Sequence, residues 1–326
     1  MVKKFKINLK DRKILAELNW DARISNTEIA KRAGLSKKSV EYRIKQLEKG
    51  RIIQSYYPII NFMKLGYVSK KMWFRLQYVN NKTKREMEEY IEKNPIFGWT
   101  LWSVGHYDFG ISASIKKEHV RFNEEIIKFC ERFGKYVVKK DFSETITLEE
   151  YPWSFLLNKK RGGVFKIKYD GEEARIDVLD KKILKELMKN ARQSLTEMAK
   201  KIGSNYKTVG LRLKKLKEKG VLLGTRAAID PQFFGKDWYK VFLKINYNEK
   251  NAIHIIKKYL IKQIELAYIT ENVGGEDIDF EMFASTNREF FKFVERMQEE
   301  LKNVGGVSKY ILLGETISKI RYIPEE

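Results

Sequence analysis

Two short stretches concentrate the side chains with most to offer chemically. One holds Ser36, Lys37, Lys38 and Ser39, with Tyr42 and Arg43 one helical turn on; the other holds Asn205, Tyr206, Lys207 and Thr208, with Leu211 and Arg212. Ammonium and guanidinium groups interleaved with hydroxyls are the donors that phosphates and base edges accept, lysine toward guanine O6 and N7, while an apolar Leu211 suits a thymine methyl. A pair of turns forms a third candidate, Gly105-His106-Tyr107-Asp108 and Gly274-Gly275-Glu276-Asp277, in which glycine supplies the positive φ of a hairpin. Other chemistries lack their residues. One cysteine (Cys130) and three histidines (His106, His119, His254) cannot assemble the usual structural zinc clusters. No P-loop, Gly-x-Gly-x-x-Gly or Gly-x-Ser-x-Gly signature occurs, so the common nucleotide and hydrolase motifs are missing. The acidic run Glu276-Asp277-Ile278-Asp279-Phe280-Glu281 alternates as a strand with a solvated carboxylate face does, and no metal is expected there.

Charge favours the first two clusters. The 326 residues carry 65 Lys+Arg against 43 Asp+Glu, a net of +22, the footprint of a phosphate-rich partner, with RNA or an acidic membrane open on that number alone. Residues 1–55 contribute +9 and residues 177–224 contribute +8, whereas residues 225–326 sum to −1. No apolar run of about 18 residues and no secretory leader is visible, so a cytoplasmic, nucleoid-associated protein is expected.

Both basic clusters belong to one repeated unit. Residues 11–47 and 180–216 align at a constant offset of 169, with 19 of 37 positions identical, a tandem duplication. Each copy opens with helical periodicity: Ile14, Leu15 and Leu18, then Val40, Ile44 and Leu47, matched by Ile183, Leu184, Leu187, Val209, Leu213 and Leu216. Ser25-x-x-Glu28 and Ser194-x-x-Glu197 predict capping boxes, Gly34 and Gly203 stop those helices, and Ser36 and Asn205 cap the next. Two short helices across a glycine turn predict a helix-turn-helix, whose second helix enters a major groove. Alternating runs follow from Gly50 and Gly220, expected as a wing and connector. The order β-α-β-β-α-β after that predicts a ferredoxin-like body. The expected class is therefore α+β, with two tandem units, each a (winged) helix-turn-helix head and a ferredoxin-like body. Heads cover 1–55 and 177–224, bodies 56–155 and 225–326, and a basic, flexible joint 156–176.

Several of these residues together resemble the Lrp/AsnC (feast/famine) transcription regulators. The carriers are Leu179-Asp180-Lys181-Lys182-Ile183-Leu184, Asn190-Ala191-Arg192-Gln193-Ser194, Arg43-Ile44-Lys45-Gln46-Leu47-Glu48-Lys49-Gly50 and the turn Val104-Gly105-His106-Tyr107-Asp108-Phe109. The resemblance implies binding of double-stranded DNA by a single-chain pseudo-dimer, without a cofactor, and self-association through the bodies. It also implies a small-molecule effector such as an amino acid near Gly105, His106, Tyr107, Asp108, Gly274 and Asp277. Where the family carries Asp in that turn this chain has His106, and the second copy lacks the Tyr. Because the two reading helices differ, the preferred site need not be palindromic. Two other classes fit the same architecture: a nucleoid protein binding DNA with little sequence preference, and an enzyme similar to siroheme decarboxylases. The stretches Ile59–Gly66 and Ala228–Gly235, where that enzyme family carries an Arg-His pair, contain no histidine.

Overall fold

The structure is a computed structural model that describes residues 6–116 and 121–316. His119, expected to open a helix, and Ile320, expected to end a strand, lie outside the described residues. The first head comprises α1 (Leu9–Trp20), α2 (Asn26–Ala33), α3 (Lys37–Lys49) and strand β1 (Ile53–Ile60). The first body follows as β2 (Tyr67–Leu76), α4 (Asn81–Lys93), β3 (Thr100–Gly105), β4 (Phe109–Lys116), α5 (Arg121–Phe133) and β5 (Val137–Glu150). After β6 (Phe165–Lys168) the second head repeats the pattern with α6 (Val178–Lys189), α7 (Leu195–Ile202), α8 (Tyr206–Glu218) and β7 (Leu222–Ile229). The second body is β8 (Asp237–Ile245), α9 (Ala252–Leu260), β9 (Leu266–Gly274), β10 (Ile278–Ala284), α10 (Asn287–Leu301) and β11 (Gly305–Thr316).

Local chemistry explains the heads. Ile14, Leu15, Leu18, Val40 and Leu47 are fully buried, as are Ile183, Leu184, Leu187 and Val209, the apolar stripes that periodicity gives. Ser25, Ser36, Ser194 and Asn205 each accept the amide three residues on. Glu197 completes a reciprocal box, but Glu28 is drawn away to Arg32 at 2.8 Å. Gly34 and Gly203 sit at φ +69° with open space where a Cβ would stand, so the left-handed backbone, not crowding, requires glycine there.

The strands expected as a wing pair across the heads instead: β1 lies antiparallel to β7, Tyr56 opposite Ala227. Most of β1 is buried, which a wing exposed beside its own helices would not permit. Nor is the joint a loose tether. Residues 165–168 pair with the end of β5, Phe165 stacks on Trp20 at 4.3 Å between centroids, and Lys64 bridges Asp170 at 2.9 Å.

Each body is a four-stranded antiparallel sheet, β5-β2-β4-β3 in one and β11-β8-β10-β9 in the other. Strand β3 also pairs with β11, and β5 with β9. The eight strands thus close into a ring that leaves none of them with a bare edge, removing a recurrent aggregation hazard. Outward residues such as Phe74 and Phe109, or Leu243 and Phe280, pack under each body's own helices. Inward residues from both bodies meet around Trp73, which stands T-shaped to Phe242 at 5.4 Å and stacks on Tyr107 at 5.8 Å.

Candidate nucleic-acid interface

Helices α3 and α8 present the two basic clusters, and the structure sorts their residues by what each side chain is already doing. Ser36 and Asn205 are caps, their oxygens accepting from Ser39 N at 3.2 Å and Thr208 N at 2.8 Å. Arg43 donates to Asp11 at 2.7 Å, and Arg212 to Asp177 at 2.6 Å with Asp180 at 3.5 Å. Both guanidinium groups tie the reading helix to the capped start of the head's first helix. Lys37, Lys38, Tyr42, Tyr206, Lys207 and Leu211 remain exposed, with Ser39 and Thr208 half-buried beside them. Tyr42 and Leu211, at equivalent positions of the repeat, keep 65% and 54% of their surface, and solvated apolar groups of this size on a basic helix are suited to base contact. Lys31, Lys45, Lys49, Lys200, Lys214 and Lys217 flank them, all exposed.

Gly210 lies inside α8 where α3 has Glu41. Among the described residues a Cβ there would meet only the tip of Leu195, at 3.4 Å, so no tight approach among them explains it. Gly210→Ala should therefore raise stability by about 0.5–1 kcal/mol through helix propensity, measured as a higher denaturation midpoint; a lower midpoint would show that the Leu195 contact dominates.

A second set of residues, silent in the sequence, holds the two heads together. Arg23 donates to the carbonyls of Ala191 and Gln193 at 2.8 and 2.9 Å, and its counterpart Arg192 donates to those of Ala22 and Ile24 and to Asn26 Oδ1, the last at 2.6 Å. The contacts are reciprocal, as an approximate two-fold between the heads demands. With the β1–β7 ribbon they fix α3 and α8 on one frame. Of the two, Arg192 stands within the stretch Asn190–Ser194, and nothing in the sequence marks either arginine as a contact between heads.

Arg226 anchors that frame to the ring. It is completely buried and donates to Asn19 O at 2.7 Å, Asn19 Oδ1 at 2.8 Å, Tyr151 O at 3.0 Å and Glu150 at 3.2 Å. Burial pushes the Glu150 carboxyl above its ordinary range even beside that guanidinium.

The turns singled out as an effector site are largely occupied by structural tasks. A Cβ on Gly105 would lie 2.7 Å from Tyr310 O, and one on Gly274 2.6 Å from Phe142 O; each turn is pressed against the last strand of the other body. Asp108 accepts from Leu76 N and Asp277 from Ile245 N, both at 2.8 Å, pinning each turn to its own sheet. Tyr107 is buried, donates to Asp141 at 2.5 Å and accepts from Lys309 at 2.6 Å. Burial resists ionisation of Asp141, but Tyr107, Lys139 and Lys309 outweigh it and bring that carboxyl down to about 2. His106 is exposed, its Nδ1 3.1 Å from Tyr310 O. The acidic run reads differently from its sequence: Asp279, expected on a solvated face, is 1% exposed inside the ring, because ring closure buries both faces of β10.

The winged helix-turn-helix DNA-binding family matches residues 7–54 and 176–222. An uncharacterized helix-turn-helix-type transcriptional regulator of Pyrococcus abyssi is 30% identical over 144 residues, 43% of this chain and 96% of the relative. The regulatory protein AsnC of Haemophilus influenzae is 35% identical over 99 residues, 30% of this chain and 66% of the relative. Against two further Pyrococcus regulators, 44% identical over 63 residues, the chain spans 41% of the relatives' length. Among solved structures, the siroheme decarboxylase NirDL superposes with a TM-score of 0.62 at 15% identity, covering 96% of this chain and 93% of that one. This is a likeness of fold, and it extends over both units.

Proposed function

The chain belongs to the Lrp/AsnC family of helix-turn-helix transcriptional regulators, and on that premise we propose that it binds double-stranded DNA as a single-chain pseudo-dimer reading two non-identical half-sites. The observation that carries the proposal is the reciprocal Arg23 and Arg192 contact, which holds two unlike reading helices on one frame. An ordinary two-fold dimer repeats the same residues and so favours palindromes. Here Lys37, Ser39 and Tyr42 face one half-site where Tyr206, Thr208 and Leu211 face the other. Half-sites should lie about 10 bp apart or a multiple, so that both heads meet one face of the duplex. The ring supports the pseudo-dimer, since the strand edges a single unit would offer to a second copy are taken up within the chain.

Selection from a randomised duplex library at several salt concentrations tests this. The expected product is an asymmetric two-part motif that persists as salt rises, with binding weakened when one half-site is replaced by a copy of the other. Perfectly symmetric motifs would refute unlike half-sites. Tight binding that collapses with salt and enriches no motif would assign an architectural role resting on phosphate contacts alone.

A further inference from the structure

One cluster inside the ring holds four charges whose arrangement is not repeated between the two bodies. Lys71 on β2 and Lys240 on β8 occupy equivalent positions and are both buried, with 7% and 3% of their surfaces exposed. Asp279 on β10 sits between them, accepting from Lys71 at 3.0 Å and from Lys240 at 2.5 Å. Lys240 also reaches Glu281 at 2.8 Å, and Asn272 on β9 joins Lys71 at 3.2 Å to Asp279 at 2.9 Å. Thr145 on β5 donates to Asn272 at 3.4 Å. Two lysines thus face two carboxylates in a place where an unmatched charge is costly.

Both carboxylates come from the second body. The residues equivalent to Asp279 and Glu281 are Gly110 and Ser112. Gly110 is committed to that identity, because a Cβ on it would fall 2.4 Å from the ring of Trp73, and Trp73 takes the place that Phe242 has in the second body. An aspartate cannot occupy position 110 while Trp73 fills the space above it. The inner face of the first body therefore brings one lysine and no acid to this cluster; that of the second brings one lysine and two acids.

We propose that this charge set is the pairing code of the ring: the inner face of a first body is complementary to a second body alone. At this cluster first against first would place two lysines together without either carboxylate of the set, and second against second two lysines with four; a separate inward set, Asp141 with Glu276 and Lys309, lies beside Tyr107. Of the three pairings only first against second balances the cluster around Asp279. Neither half matches a copy of itself there. The proposal is independent of what the heads bind. The directions of the ionisations agree with it. Burial lowers Lys71, whereas at Lys240 burial is outweighed by Asp279 and Glu281. At Asp279 burial is outweighed by Lys240 and Lys71, and the carboxyl lies below its ordinary range.

Thermal unfolding of the full chain from pH 7 to about 10 tests the code with two sets of substitutions. Asp279→Asn with Glu281→Gln gives this cluster the charge of a first-with-first pair at unchanged volume, and the midpoint at pH 7 should fall by roughly 10 °C. Both lysines then have folded-state pKa values depressed below the unfolded ones, so the unfolded chain binds more protons and stability returns as pH rises toward the unfolded value near 10.4. Adding Lys71→Met and Lys240→Met should bring the midpoint at pH 7 back to within a few degrees of the parent. A carboxylate-free variant that loses stability without regaining it at high pH, or a fourfold variant no more stable than the twofold one, overturns the proposal. If the twofold variant does not fold at pH 7, the fourfold variant decides alone: folded sustains the code, unfolded removes it.

Discussion

Replacing Lys38 and Lys207 together by alanine lowers affinity for the selected duplex by roughly 30- to 20,000-fold. That range corresponds to about 1–3 kcal/mol for each lysine that contacts a base edge. These two residues occupy equivalent positions near the start of α3 and α8, are exposed, and lie on the faces the heads leave uncovered. Their removal leaves the core positions Val40 and Val209 untouched, so thermal stability should not change. Salt dependence separates the two modes of contact. If both lysines meet phosphates, the slope of log affinity against log salt falls by about two; if they meet bases, the slope stays and discrimination at one position of each half-site relaxes. Anisotropy titrations at several salt concentrations measure both, and a change below threefold would remove these helices from the interface. Arg43→Ala is the informative contrast: its guanidinium is engaged with Asp11, so its loss should lower stability as well as binding.

The second large effect is on stability, at Arg226. Arg226→Met should cost about 3–5 kcal/mol, the usual penalty for leaving one partner of a buried ion pair behind. Its guanidinium reaches the end of α1 through Asn19 and the end of β5 through Glu150 and Tyr151, so head and ring are expected to loosen from each other. With the arginine gone, Glu150 is buried without a counter-charge and its folded-state pKa lies above the unfolded one. The folded chain then binds the extra proton, and the deficit shrinks as pH falls through that raised value. The double variant Arg226→Met/Glu150→Gln should recover a large part of the loss at pH 7. Chemical denaturation at pH 5 and 7 provides the four-way comparison; a double variant as unstable as Arg226→Met alone would assign the role of Arg226 to its bonds with Asn19 and Tyr151 instead.

The heads were legible almost residue by residue because their determinants are local. Periodicity placed Ile14, Leu18, Val40 and Leu47 inside, and the glycine stops and serine caps fall where the sequence puts them. The order of elements in the bodies was equally plain. What the sequence hides is pairing at long range. Ile53–Ile60 alternates as any strand does, and nothing near it indicates that its partner begins at Leu222. The burial of Lys71, Lys240 and Asp279 was invisible for a related reason. Alternation marks one face of a strand as apolar and leaves the other to be taken as solvated, but closing two sheets into a ring buries the polar face too. Arg43 and Arg212 show the limit at the site itself: their place on the reading helices was evident, their engagement with Asp11 and Asp177 was not.

Ring closure also imposes an order on biosynthesis. When the ribosome has delivered β5, the first sheet is complete in sequence but has two bare edges, β3 and β5, whose partners β11 and β9 have yet to be made. At about 5–20 residues per second, the interval before β11 emerges is roughly 10–30 s. Throughout it the nascent chain carries Lys71 without Asp279, and a second unfinished sheet laid on the first would bring another Lys71 and no Asp279 to meet it.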